Sequence, residues 1–303
     1  MYKDVFKARY FAPGTWLISG VGCDCYLVEG EKEAVMIDAG YARANIQKFA
    51  QSLTDKPLRS VINTHSHFDH TGSNGYFEKV LCTEGISRSA KTIMADLAFK
   101  FPLDYEFTII TDGEIIDPGG RPLRIIELDC HSPGNIAILD EKARLIYTGD
   151  EVEAGQVLLL PGYAEKAGQI HASPAGTVEE CLDSMEKMAS FKDHFDAIAS
   201  SHSTVPLSPV YLEWFAELCR RILDGREQGS KDCSSGTYSG ADKHFPFPGS
   251  GYRRGQYKGA SLVYNKHLLR RSDKVNADKL LPATPLHVMC AWLTPDATAK
   301  DGM

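Results

Sequence analysis

The chain has 303 residues, 33 Lys and Arg against 40 Asp and Glu for a formal net charge of −7, and an apolar share of 43%. That share suffices for a sizeable core in one large domain or two small ones. The acidic balance excludes a broad basic field, so no nucleic-acid partner is expected beyond a small local patch.

The opening stretch Met1 to Arg9 is polar and charged, and no apolar run approaches the roughly 20 residues that span a bilayer. A cytoplasmic protein without a membrane partner is the expectation. Short strands follow at Trp16–Ile18, Cys25–Val28 and Ala34–Ile37, then a helix over 42–53 with Ile46, Phe49, Ala50 and Leu53 on one face. Ser60–Asn63 is a further strand. The next group reads as strand Val80–Thr83, helix Ser89–Phe99, then strands Thr108–Ile110, Leu123–Leu128, Ile136–Leu139 and Leu145–Tyr147. A helix over 178–189, with Thr177 as N-cap before Glu180, precedes strand Ala197–Ala199 and helix Pro209–Leu223. Residues 225–259 lose periodicity and read as a long surface excursion or lid, before a last strand at Ala260–Tyr264. Interleaved strands and helices predict sheets covered by helices. The division is a catalytic domain over 1–225 and an extension over 226–303, lid-like loop plus final strand and tail, packed on the same body.

Eight cysteines, at 23, 25, 82, 130, 181, 219, 233 and 290, form no Cys-x-x-Cys pair, which favours reduced thiols. Cys23 and Cys25 make a Cys-x-Cys within a strand pattern and read as core. His194, His244, His267 and His287 have no partner pattern and read as surface or structural.

Residues 64–72 are Thr-His-Ser-His-Phe-Asp-His-Thr-Gly, placing His65, His67, Asp69 and His70 in six positions directly after an apolar run. Such groups are costly to bury unless paired, hydrogen-bonded or bound to metal. In an extended chain His65 and His67 project to the same side and reach one cation. Asp69 and His70 diverge unless the loop curls, and a curled loop gives them to a second cation close by. Imidazole and carboxylate without thiolate suit zinc, with iron or manganese as alternatives. Each cation needs more ligands, and three candidates stand where strands empty into loops: His131 opening His-Ser-Pro-Gly-Asn, Asp150 closing Leu-Ile-Tyr-Thr-Gly-Asp, and His202 after Ala-Ile-Ala-Ser-Ser.

The order His65-x-His67-x-Asp69-His70, His131, Gly149-Asp150, His202 resembles the metallo-β-lactamase-fold hydrolase superfamily over about residues 14 to 224. The resemblance implies an α/β, four-layer αββα sandwich of two mixed sheets, with two divalent metal ions at one edge. It implies His65, His67 and His131 on one metal, Asp69, His70 and His202 on the other, and Asp150 bridging. Around the third ligand many members read Pro-Gly-His-Thr-Pro-Gly-Ser, and here Asp129 to Asn135 read Asp-Cys-His-Ser-Pro-Gly-Asn. A register placing Asn135 on the ligand position is rejected, because Asn is a poor zinc ligand and because with His131 there Ser-Pro-Gly falls on Thr-Pro-Gly. Asp38, ending Val-Met-Ile-Asp-Ala-Gly, also matches the fold, with the role of orienting the histidine loop.

Two cations about 3.5–4 Å apart share a water and bring its pKa to about 7. The expected reaction is attack by that bridging hydroxide on an ester, lactone, thioester or amide of a small molecule, with Asp69 as the catalytic proton acceptor. The alternatives are a mononuclear iron persulfide dioxygenase-like oxidoreductase and a phosphodiesterase. Relative to subfamilies that it resembles, Asp150 disfavours penicillin hydrolysis. Glu151-Val-Glu-Ala-Gly155 lacks the Gly-Cys-Gly-Arg-type stretch of glyoxalase II-like enzymes and the Tyr of lactone hydrolases. Substrate contacts are expected from Tyr163 and His171 in the loop 151–176, and from Arg253 and Tyr257 in the Tyr- and Arg-rich segment 252–257. The oligomeric state stays open, a homodimer included.

Overall fold

The computed structural model describes residues 5–20, 22–41, 44–91, 104–159, 162–166, 169–173, 176–202, 206–230 and 251–276. The far part of the helix expected over Ser89–Phe99, His244, His287, Cys233, Cys290 and the tail from 277 lie outside these residues, as do the side chains of Tyr163 and His171.

The first sheet has seven strands in chain order: β1 (Lys7–Ala12), β2 (Thr15–Ser19), β3 (Cys25–Glu29), β4 (Ala34–Ile37), β5 (Leu58–Ile62), β6 (Lys79–Cys82) and β7 (Phe107–Ile109). Its first four strands pair antiparallel and β4 to β7 pair parallel. The change to parallel pairing comes with helical crossovers, α1 (Ile46–Gln51) between β4 and β5 and α3 (Glu84–Ser89) between β6 and β7. The second sheet has β8 (Ile115–Ile116), β9 (Leu123–Glu127), β10 (Ile136–Asp140), β11 (Leu145–Gly149) and β15 (Ala197–Ser200), in the order β15-β11-β10-β9-β8. Its β11–β15 pair is parallel and the rest antiparallel.

Side-chain alternation divides each strand between two layers. In β3, Tyr26 and Val28 face the second sheet while Cys25 and Leu27 face α1; in β4, Val35 and Ile37 face inward while Ala34 and Met36 turn out. In β10, Ile136 and Ile138 meet the first sheet while Ala137 and Leu139 turn toward helices α4 (Val178–Ala189) and α5 (Val210–Leu223). These near-continuous apolar runs are what strands buried on both faces require. The result is the four-layer αββα arrangement. Thr177 caps α4 as its spacing predicts: its hydroxyl accepts from the Glu180 amide at 3.2 Å, and the Glu180 carboxylate accepts from the Thr177 amide at 2.7 Å.

A third sheet is an addition to that plan. The strands β12 (Gln156–Leu158), β17 (Ala260–Asn265) and β16 (Tyr252–Tyr257) pair in that order, β12 parallel to β17 and β16 antiparallel to it. Val157, Ala260, Leu262 and Tyr264 pack beneath α5 in the same cluster as Phe215 and Leu218. This corrects the reading of 252–257 as irregular lid. The segment is an edge strand whose positions toward α5 include Gly255, where an added Cβ would lie 3.0 Å from Ile222, so no alternating apolar signal marks it. A two-stranded hairpin, β13 (Gly162–Lys166) with β14 (Gln169–Ser173), completes the strands. No helix among the described residues is long and apolar enough to cross a membrane.

Candidate metal centre

Asp38 follows β4 with φ 58°, a left-handed conformation that is uncommon outside glycine. It is fully buried, and its carboxylate gathers the histidine loop. Oδ1 accepts from the Thr64 amide at 2.8 Å, and Oδ2 accepts from the Thr64 hydroxyl at 2.7 Å and faces His70 Nδ1 at 2.8 Å. A carboxylate only accepts, so His70 donates from Nδ1 and its Nε2 keeps a lone pair. Thr64 spends its proton on Asp38, so at 3.2 Å its oxygen accepts from His65 Nδ1, leaving His65 Nε2 a lone pair as well. His131 repeats the device on another element: its Nδ1 donates to the Leu158 carbonyl at 2.8 Å at the end of β12. Three imidazoles are thus held in one tautomer, with Nε2 ready to ligate.

After His67 the chain turns into the short helix α2 (Phe68–Thr71), which supplies the curl that lets Asp69 and His70 reach a different point from His65 and His67. The β9–β10 connection brings His131, Asp150 directly follows Gly149 at the end of β11, and His202 follows β15. The sheets meet at this edge, where the Ile136 amide donates to the Thr64 carbonyl at 2.8 Å and the Tyr26 hydroxyl to the Ser200 carbonyl at 2.6 Å.

Two groups of ligand atoms result, each within 4.8 Å: His65, His67, His131 and Asp150, and Asp69, His70 and His202. Asp150 faces both. Its Oδ2 lies 3.8 Å from His65 Nε2 and 3.7 Å from His131 Nε2; its Oδ1 lies 3.3 Å from His70 Nε2 and 3.4 Å from His202 Nε2. Asp69 Oδ2 is 3.4 Å from His202 Nε2 and 3.7 Å from His70 Nε2, and His67 Nδ1 is 3.1 Å from His131 Nε2. Zinc bonds of about 2.1 Å in tetrahedral geometry separate neighbouring ligand atoms by about 3.4 Å, so the spacings match donors around shared cations.

The chemistry of the donors fits as well. His65 Nε2, His70 Nε2 and Asp150 Oδ1 are buried without a hydrogen-bond partner among the described residues, a costly arrangement that cations at these points relieve. Burial and the neighbouring His131 lower the pKa of His67 to about 3, and burial also drives that of His65 well down. Burial opposes charge on His70 and His202 too. There Cys23, Asp150, Asp38 and Asp69 around His70, and Asp150, Asp69 and Glu153 around His202, outweigh it and raise both well above the usual value, so a proton holds the cluster-facing nitrogens until a cation displaces it. Asp69 and His202 keep 15% and 11% of their side-chain surface and His67 is partly open too, whereas His65, His70 and His131 are closed off.

Of the segments expected at the substrate, 151–176 contributes β12 and the β13–β14 hairpin, and 252–257 is β16. Tyr163 pairs with Ala172 and Ala164 with His171 in the β13–β14 hairpin. Arg253 pairs with Tyr264, its guanidinium donating to the Tyr252 carbonyl at 2.7 Å. The ring of Tyr257 lies under Arg221 of α5 at 4.6 Å and packs on the apolar cluster that α5 shares. Cys23 and Cys25 are buried, with their sulfurs 3.6 Å apart. The sequence gives no hint of two groups in the surroundings of His131, because Leu158 acts through its backbone carbonyl and the buried Glu151 meets a backbone amide.

A family model described as the metallo-beta-lactamase superfamily matches residues 18–195. The acyl-coenzyme A thioesterase of Bos taurus is 23% identical over 218 residues, which cover 61% of this chain and 76% of the relative. The hydroxyacylglutathione hydrolase of Haemophilus influenzae is 28% identical over 147 residues, covering 44% and 68%. In three dimensions the chain is similar to an inverting sec-alkylsulfatase from Pseudomonas sp., with TM-score 0.56 and 16% identity over 73% of this chain but only 42% of the alkylsulfatase, a likeness of fold alone. The matched span reaches from β2 to the segment between α4 and β15 and holds six of the seven clustered residues, and the chain belongs to the metallo-beta-lactamase superfamily.

Proposed function

We propose that the chain is a hydrolase of acyl thioesters that works with two divalent cations, zinc in the first instance, held by His65, His67 and His131, by Asp69, His70 and His202, and by Asp150 between them. The observation that carries the reading is the position of Asp150, whose two oxygens face the two ligand groups separately. Bound there, the cations supply Lewis acidity for the acyl carbonyl and lower the pKa of a water to about 7.

The remaining work falls to the chain. His65, His70 and His131 stay in the ligating tautomer through Thr64, Asp38 and Leu158. Asp69, the carboxylate of the cluster that is partly open to solvent, is placed to take the proton of the attacking water at its carboxylate oxygen. In thioester hydrolysis the carbon–sulfur bond breaks, the acyl group gains the water oxygen and the sulfur leaves as thiolate. With a thiol pKa of about 8.5, that leaving group needs no strong acid, so a site built from ligands and one accessible carboxylate suffices. The relatives named for acyl-coenzyme A and acylglutathione chemistry support this leaving group over an alkoxide or amine.

The test is a panel of acyl-coenzyme A and acylglutathione thioesters, aryl esters and lactones, incubated with zinc-loaded protein, with thiol release read for the thioesters. Thioesters are expected to turn over fastest, and Asp150→Ala to be inactive. A preference for lactones or aryl esters, or full activity in Asp150→Ala, overturns the reading.

A further inference from the structure

We infer that Glu151 is a positioning residue for the His131 half of the metal site, holding that ligand loop through its backbone. Glu151 directly follows Asp150 at the end of β11 and is fully buried. Its Oε2 accepts from the His131 amide at 2.9 Å and from Asn135 Nδ2 at 2.6 Å, in the middle and at the end of the loop between β9 and β10. The His131 ring is fixed at its other end by Leu158. One carboxylate thus couples the loop that carries an imidazole ligand to the chain segment that carries the carboxylate shared by both groups.

Burying a carboxylate is costly, and a plain loop anchor does not require one. The two donors are those of a loop whose own bonds run elsewhere: Gly134 N to Asp129 Oδ1, Thr83 Oγ1 to the Gly134 carbonyl, and Leu128 N to the Asn135 carbonyl. Among the described residues, Glu151 alone accepts from the amide of His131. Its removal frees that amide and lets the imidazole drift from the point where His65 and His67 converge. Asp69, His70 and His202 have no such dependence, being held from Asp38 and from β15.

The inference rests on the reading of these residues as holding two cations, and its test reads metal rather than turnover. Cadmium-113 is the probe. The wild-type chain is expected to bind two cadmium ions and give two resonances. In Glu151→Ala, affinity at the group of His65, His67 and His131 should fall about 10- to 100-fold, with the other resonance retained. Glu151→Gln should rescue it: its amide oxygen, in the place of Oε2, accepts from both the His131 amide and Asn135 Nδ2. Equal cadmium affinity at both sites in Glu151→Ala overturns the inference, as does an equal loss at both sites that Glu151→Gln does not restore. Should Glu151→Ala not fold, Glu151→Asp, its carboxylate withdrawn by one methylene, is read by the same criteria. A wild-type chain that binds no cadmium overturns the two-cation reading beneath it, and the inference falls with it.

Discussion

Asp38 decides more of the site than any ligand does, because one carboxylate sets the tautomer of His70 directly and of His65 through Thr64. In Asp38→Asn the amide nitrogen facing His70 can only donate, so His70 would carry its proton on Nε2 and lose the lone pair that ligates. Cation affinity at the Asp69, His70 and His202 group is expected to fall about 10- to 100-fold, read by competition with a chromogenic chelator; unchanged affinity would show that the tautomer is set elsewhere. Protons compete with cations for the same lone pairs. Because the carboxylates around His70 and His202 raise their pKa values while burial lowers those of His65 and His67, acidification protonates the former pair first. Lowering the pH from neutrality is therefore expected to release the cation of that group before the other, as a stepwise loss of bound metal; simultaneous release would count against it. The clustered residues are legible in sequence because imidazoles and carboxylates after apolar strands have few inexpensive explanations. Glu151 and Leu158 are not, since a side chain meeting a backbone amide, or a carbonyl meeting a ring, leaves no trace in residue type.

At the level of elements, the strand ends are fixed by contacts that a single atom can disturb. Gly149 has φ 55° and ψ −129°, and an added Cβ would lie 2.4 Å from Thr64 Oγ1. Gly149→Ala is expected to cost about 1–3 kcal/mol and to displace Thr64 from Asp38, so thermal stability and metal content should drop together. At the β10 end away from the metals, Arg121 holds the sheets to each other. Its guanidinium donates to Asp140 of β10 and to Thr15 Oγ1 at 2.6 Å, both buried, and to the partly exposed carbonyls of Gly14 and Glu29 at 2.6 and 3.1 Å. Arg121→Ala leaves Asp140 buried and unpaired and should cost about 3–5 kcal/mol in denaturant unfolding; a loss below 1 kcal/mol would mean that the clamp is not structural. The central strands announce themselves, Tyr26 and Val28 alternating with Cys25 and Leu27. The edges do not. β1 shows Lys7, Arg9 and Tyr10 to solvent and β16 turns Gly255 to a helix, so neither carries the apolar alternation that reveals a strand.

The whole molecule places five strand-end segments of two facing sheets around one edge, and this architecture follows from the sequence order in which the ligands appear. It also adds what that order does not contain: a third sheet, β12-β17-β16, that carries the chain from the metal edge out beneath α5 and returns a carbonyl to His131. The central claim, that seven residues hold two cations for thioester hydrolysis, is tested most directly by titrating metal-free protein with zinc while following release of coenzyme A from an acyl-coenzyme A. The account predicts no turnover without metal and a rate that rises until about two zinc ions are bound per chain. Turnover that needs no metal, or a protein that binds a single iron and consumes oxygen instead, would contradict it.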